Sequence, residues 1–108
     1  MKNDVYWFIA VCQRLDLDKN GFPDTGFLHP CGFYKDKKDA LEILHKNITN
    51  LWERSYHYAL MEPYYEGSIS GYGTIEDRQF FKYDPEVDGY REIAEPEGYE
   101  FYPGLIWG

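Results

Sequence analysis

The chain has 108 residues, too few for more than one domain but enough to fold without a disulfide or a structural metal. An aromatic content of 19% marks it as a folded protein despite a formal net charge of −8. That charge excludes direct binding to duplex nucleic acid, whose affinity comes mostly from clustered Lys and Arg on phosphates. The acidity is uneven: residues 1–59 hold 8 acids and 8 bases, whereas residues 60–108 hold 11 acids against Arg78, Lys82 and Arg91.

The chain opens with Met1-Lys2-Asn3-Asp4 and passes directly into the apolar run Val5–Cys12. This run is too short to span a bilayer and lacks a cleavage-type small-residue site after it, so a cytosolic protein with no membrane contact is expected. Cys12 and Cys31 are then reduced thiols, and the sequon Asn47-Ile48-Thr49 carries no sugar. Val5–Gln13 reads as a central strand with two apolar faces, Val5, Trp7, Ile9 and Val11 on one and Tyr6, Phe8, Ala10 and Cys12 on the other. A turn-rich segment, Asp16–Gly26, follows, and Phe27–Tyr34 is the returning strand, which Pro30 places at an edge or a bulge.

Asp36–Asn50 is predicted to be the one helix, with Asp36 as N-cap, Asp39 as an acidic partner, and Leu41, Leu44, Ile48 and Leu51 as an apolar stripe. Strand character resumes over Arg54–Tyr65 until Pro63 interrupts it. Gly67–Gly73 is a loop, and Gln79–Tyr83 with Tyr90–Ile93 makes a second hairpin. The tail Glu95–Gly108 carries too many apolar groups to stay in solvent and must dock on the body or on a second copy. The expected fold is α+β: residues 1–108 form a single domain of mainly antiparallel sheet, about five strands, with one helix packed on a face.

Several patterns resemble sites without completing one. Asp16-x-Asp18-x-Asn20-Gly21 begins like an EF-hand loop, but Phe27 stands where the bidentate carboxylate belongs, so the segment reads as a polar turn. His29, His45, His57 and the two cysteines lack the spacing of a tetrahedral metal site. Gly67-x-x-x-Gly71-x-Gly73 lacks the Lys-Ser/Thr pair of a phosphate loop. Lys35, Lys37 and Lys38, broken by Asp36 and Asp39, read as a solvated first helical turn. No metal, no cofactor and no catalytic residues are expected.

The segment with most chemistry runs from Asn47 to Glu62. Alternation puts Tyr56, Tyr58, Leu60 and Glu62 on one strand face, where tyrosines can stack on a flat ring and a carboxylate can accept hydrogen bonds. The candidate ligand-binding residues are therefore Asn50, Glu53, Arg54, Tyr56, Tyr58 and Glu62. Tyr56 and Tyr58 would stack, Glu53 and Glu62 would accept ribose or amine hydrogens, and Asn50 would read an amide or base edge. A phosphate would need Arg54, Arg78 or Arg91 in the pocket.

Tyr6-Trp7-x-Ile9-Ala10-Val11-Cys12, Thr25-Gly26-Phe27, the helix, Asn47-x-x-Asn50-Leu51-x-Glu53-x-x-Tyr56-x-Tyr58-Ala59-Leu60-Met61-Glu62, an aromatic-Lys-Tyr strand and a Gly-ended tail together resemble small acidic proteins of Gram-positive phages and mobile elements. Asn50 stands where such proteins often carry Asp. The resemblance implies no particular activity, but it points toward host takeover or counter-defence by binding rather than catalysis. The expectation is a non-enzymatic, oligomeric protein of the host cytosol that sequesters a small nucleotide-derived ligand. The alternative is an acidic inhibitor that mimics nucleic acid and blocks a basic host protein. A small hydrolase is the third class.

Overall fold

The computed structural model describes residues 5–46, 56–65, 78–102 and 105–106. Their strands are β1 (Val5–Cys12), β2 (Asp16–Leu17), β3 (Pro23–Asp24), β4 (Leu28–Tyr34), β5 (Tyr58–Tyr65), β6 (Gln79–Asp84) and β7 (Gly89–Ile93), with helix α1 (Lys37–Lys46) between β4 and β5. A short 3₁₀ helix spans Tyr99–Phe101. Five strands make one antiparallel sheet in the order β4-β1-β5-β6-β7, and β2 pairs with β3 in a separate ribbon. This is the expected α+β architecture with one helix on an antiparallel sheet. Among the described residues no helix is long and apolar enough to cross a membrane.

Local chemistry explains the element boundaries. Asp36 caps α1, its carboxylate accepting from the Lys38 N–H at 2.9 Å and its carbonyl from the Ala40 N–H at 3.2 Å. The buried face of α1 is Ala40 and Leu44, with Leu41 and Ile43 beside them; Ile48 and Leu51 of the expected stripe lie outside the described residues. Asp18 closes the turn between β2 and β3 by accepting from the N–H groups of Asn20 and Phe22 at 2.8 and 3.0 Å. Asp24 likewise accepts from the Gly26 N–H and pairs with Arg14.

One expectation about strands needs correction. Pro63 does not end β5, which continues to Tyr65 and pairs Pro63 with Trp7 of β1. Among the described residues β6 pairs with β5 only over Tyr58–Met61, so that ladder has ended before the missing N–H of Pro63. The two cysteines do not face each other. The β1–β4 register passes from Ile9↔Gly32 to Ala10↔Pro30, leaving Cys31 as the extra residue of a bulge, while Cys12 pairs with Leu28. Both are free thiols, Cys12 buried and Cys31 at the surface.

The sheet has a core on each face. On the helix side Ile9, Val11, Ala59, Met61, Phe81 and Tyr90 pack under Ala40 and Leu44. On the other side Ala10, Cys12, Leu60, Phe80 and Tyr99 form a second cluster, against which Tyr58, Leu105 and Ile106 pack. The tail thus docks on the body, covering the sheet face that α1 leaves open.

Candidate functional site

Of the six candidate residues, Asn50, Glu53 and Arg54 lie outside the described residues. The other three do not share one surface. Strand pairing begins only at Tyr58, so the alternation that relates Tyr58, Leu60 and Glu62 does not extend back to Tyr56. Tyr56 is buried in the helix-side core, its ring stacked 6.2 Å from that of His29. Its carbonyl accepts from the Tyr90 hydroxyl at 2.8 Å. Tyr58 lies half-buried on the opposite face, in the cluster of Ala10, Cys12, Leu60 and Phe80. The shared Tyr56/Tyr58 stacking face is therefore corrected to two residues on opposite sides of the sheet.

Glu62 is 2% exposed. One carboxylate oxygen accepts from the Tyr64 hydroxyl at 2.8 Å, and the other from the Arg78 guanidinium at 3.1 Å. The backbone N–H groups of Leu105 and Ile106 also donate to this carboxylate, at 3.1 and 2.8 Å. Arg78, 6% exposed, completes the clasp. It pairs with Glu95 at 2.8 Å, donates to the Tyr99 carbonyl at 2.8 Å, and donates to the Tyr102 carbonyl. Both members of this buried ion pair thus hold the backbone of the tail, and charge-assisted bonds of this kind are the strong ones. Glu62 serves the chain's own tail. Arg91 pairs with Asp84 at 2.7 Å on the β6–β7 hairpin, so Arg78 and Arg91 are engaged in separate regions.

The same face of the sheet holds a second feature beyond the tail. Tyr6 and Phe8 alternate with Trp7 and Ile9, so they project away from α1. Cross-strand register sets Phe8 beside Phe33 of β4 and Glu62 of β5, and Tyr6 beside Tyr64. The Phe8 and Phe33 rings are stacked, 5.2 Å apart with 26° between planes. Tyr64 meets Phe8 edge-on at 5.2 Å, and Tyr6 meets Phe33 edge-on at 5.7 Å. Lys35, directly after β4, holds its ammonium 5.7 Å from the centre of the Tyr6 ring. Exposure rises across this floor from buried Tyr64, through half-buried Tyr6 and Phe8, to Phe33 at 58%.

A phenylalanine this exposed, on an outer strand and stacked on another ring, offers a π-face to a flat ligand. The tail bounds the floor where Leu105 and Ile106 bond to Glu62, one strand inward from Phe8. Tyr64 joins the two features, with its ring against Phe8 and its hydroxyl on Glu62. The alternation of Tyr6 and Phe8 was readable in the sequence, but Phe33 joins them only through a register that the Cys31 bulge shifts. Among the described residues no group of three or more His, Cys, Asp or Glu could hold a metal.

Two thiols and one phenol have altered acidity. Burial pushes the Cys12 thiol up to about 12 and raises that of Cys31 less far. Tyr99 is raised too, first by burial and then by Cys12, Asp16 and Asp24, while its hydroxyl donates to the Asp16 carbonyl at 2.7 Å. None of the three is set up as a nucleophile at neutral pH. Comparison of the chain with family models, curated proteins and solved structures finds no match.

Proposed function

We propose that this chain is a binding protein without catalysis of its own, which sequesters a small nucleotide-derived ligand by stacking its ring on the aromatic floor. The observation that carries the reading is Phe33, 58% exposed and stacked at 5.2 Å on Phe8 within a group of four rings. Isolated exposed aromatics need no explanation, but an edge-strand ring continued inward by three others is a platform for a π-face. The resemblance to small phage proteins supports placing this capture in the host cytosol as a counter-defence function.

A second reading rests on the exposed carboxylates Glu86, Asp88, Glu92, Glu97 and Glu100 of the β6–β7 hairpin and tail. That acidic side fits a basic protein groove, and such an inhibitor would lose its partner steeply as salt rises.

The test is mass spectrometry of small molecules released by heating the purified protein, followed by calorimetry of the compound found with wild type and Phe33→Ala. Loss of one stacking ring should weaken binding by roughly 1–3 kcal/mol while the melting curve stays unchanged. Unaltered affinity in Phe33→Ala defeats the platform reading. Charge reversals at Glu86, Asp88 and Glu97 that abolish binding to a basic partner would establish the inhibitor instead.

A further inference from the structure

We infer that the β6–β7 hairpin carries a second binding site, separate from the aromatic floor, for a small organic anion: a carboxylate or phosphate borne on an apolar group. Residues 60–108 hold three bases, Arg78, Lys82 and Arg91, against 11 acids. Arg78 is buried in the clasp, so Lys82 and Arg91 supply the accessible positive charge of this stretch. Register sets the two directly opposite each other on β6 and β7. Like charges facing across a strand pair destabilise it, and an anion held between them turns that repulsion into attraction.

Both cations line a surface cavity of about 450 Å³ together with Asp84, Pro85 and Ile93. Lys82, Asp84, Arg91 and Ile93 share the tail side of the sheet, since they alternate in step with Phe80, a core residue of that side. Tyr83 and Glu92 also border the cavity, but alternation turns them toward α1, with Phe81 and Tyr90. The carboxylate on the cavity's own side, Asp84, is already engaged: one oxygen lies 2.7 Å from Arg91 Nε, and the other accepts from the Glu86 N–H at 2.9 Å. That contact orients the guanidinium through Nε, and among the described residues its terminal nitrogens make no hydrogen bond. Lys82 is exposed and, among the described residues, has neither a hydrogen bond nor an ion pair. Two cations with donors to spare suit one oxyanion, while Pro85 and Ile93 offer an apolar wall to whatever carries it. The site stands on β6 and β7 and the floor on β1, β4 and β5, so each is tested without the other.

The experiment is an NMR titration of wild type, Lys82→Gln, Arg91→Gln and Phe33→Ala with butyrate, butyl phosphate and inorganic phosphate, at an ionic strength held constant with sodium chloride. Wild type should bind butyrate or butyl phosphate, with the largest shifts at the amides of β6 and β7, and the tighter of the two names the head group. Inorganic phosphate should bind more weakly, because it buries no alkyl chain. Each glutamine substitution should weaken binding roughly tenfold, as expected for the loss of one charge-assisted contact. Lys82→Gln removes one of two facing cations, so its melting temperature should not fall below that of wild type. Phe33→Ala should bind as wild type does, since a butyl chain has no ring to stack. The site is overturned if wild type binds none of the three compounds, if inorganic phosphate binds as tightly as butyl phosphate, or if affinity survives both glutamine substitutions.

Discussion

Burying a carboxylate beside a guanidinium costs several kcal/mol per ion in lost hydration, and the pair is tolerated only when its remaining hydrogen-bonding positions are filled. Glu62 and Arg78 fill theirs with Tyr64, Glu95 and four backbone groups of the tail. Removing one partner leaves the other charged and unpaired, so Glu62→Ala should destabilise the fold by about 3–5 kcal/mol in urea denaturation. Replacing both at once, as Glu62→Leu with Arg78→Met, should recover part of that loss. A Glu62→Ala protein within about 1 kcal/mol of wild type would show that the clasp holds nothing. From the sequence, Glu62 was legible as a special residue on the face shared with Tyr58. Its partner was not, because nothing local to the Gly67–Gly73 segment or the tail says which of three arginines will be buried. Tyr56 was misplaced for a simpler reason: alternation holds only where strand geometry holds, and the strand starts two residues later.

Elements were read more securely than single contacts. The Asp36 cap, the hairpin of β6 and β7 and the pairing of β1 with β4 all follow from local signals, namely a capping carboxylate, a turn-forming run and apolar alternation. Pro30 signalled an edge or a bulge, and β4 has both, but the position of the extra residue at Cys31 and the continuation of β5 through Pro63 did not follow, since both depend on which strand lies on each side. How α1 meets the sheet also needs the fold. The Cβ that Gly89 lacks would overlap the backbone carbonyl of His45 at the end of α1. Gly89→Ala should therefore push helix and β7 apart and lower the urea midpoint, at a cost of about 1–3 kcal/mol, because backbone cannot yield as a flexible side chain would. An unchanged midpoint would mean that α1 shifts without loss.

For the molecule as a whole, the sheet is a layer closed on both sides by different means, a helix on one and the clasped tail on the other. The fold class was legible because the order of strands and helix left few arrangements. The aromatic floor proposed as a binding surface was less so, because it is assembled from β1, β4 and β5, which adjoin only in space. The tail-side core contains Cys12 and Tyr99, both held neutral by burial. Their acidity in the folded state lies above the ordinary 9.0 and 10.0, so the stability they contribute is complete below about pH 9 and is lost as pH rises through the folded values. Thermal melts should show stability declining between pH 9 and 12, with a shallower decline in Cys12→Ala. Parallel slopes for the two proteins would remove Cys12 from that account.

The clasp has a consequence in time as well as in energy. Glu62 and Arg78 lie 16 positions apart, but the groups that complete them come from as far as Ile106, 44 positions beyond Glu62. During synthesis β1, β4 and β5 leave the ribosome before those groups exist, so a sheet formed early would enclose a charge with its bonds unmade. That species is disfavoured by the same desolvation that makes the finished pair tight. The same penalty disfavours closing the sheet before the backbone groups of Tyr99, Tyr102, Leu105 and Ile106 are there to bond Glu62 and Arg78.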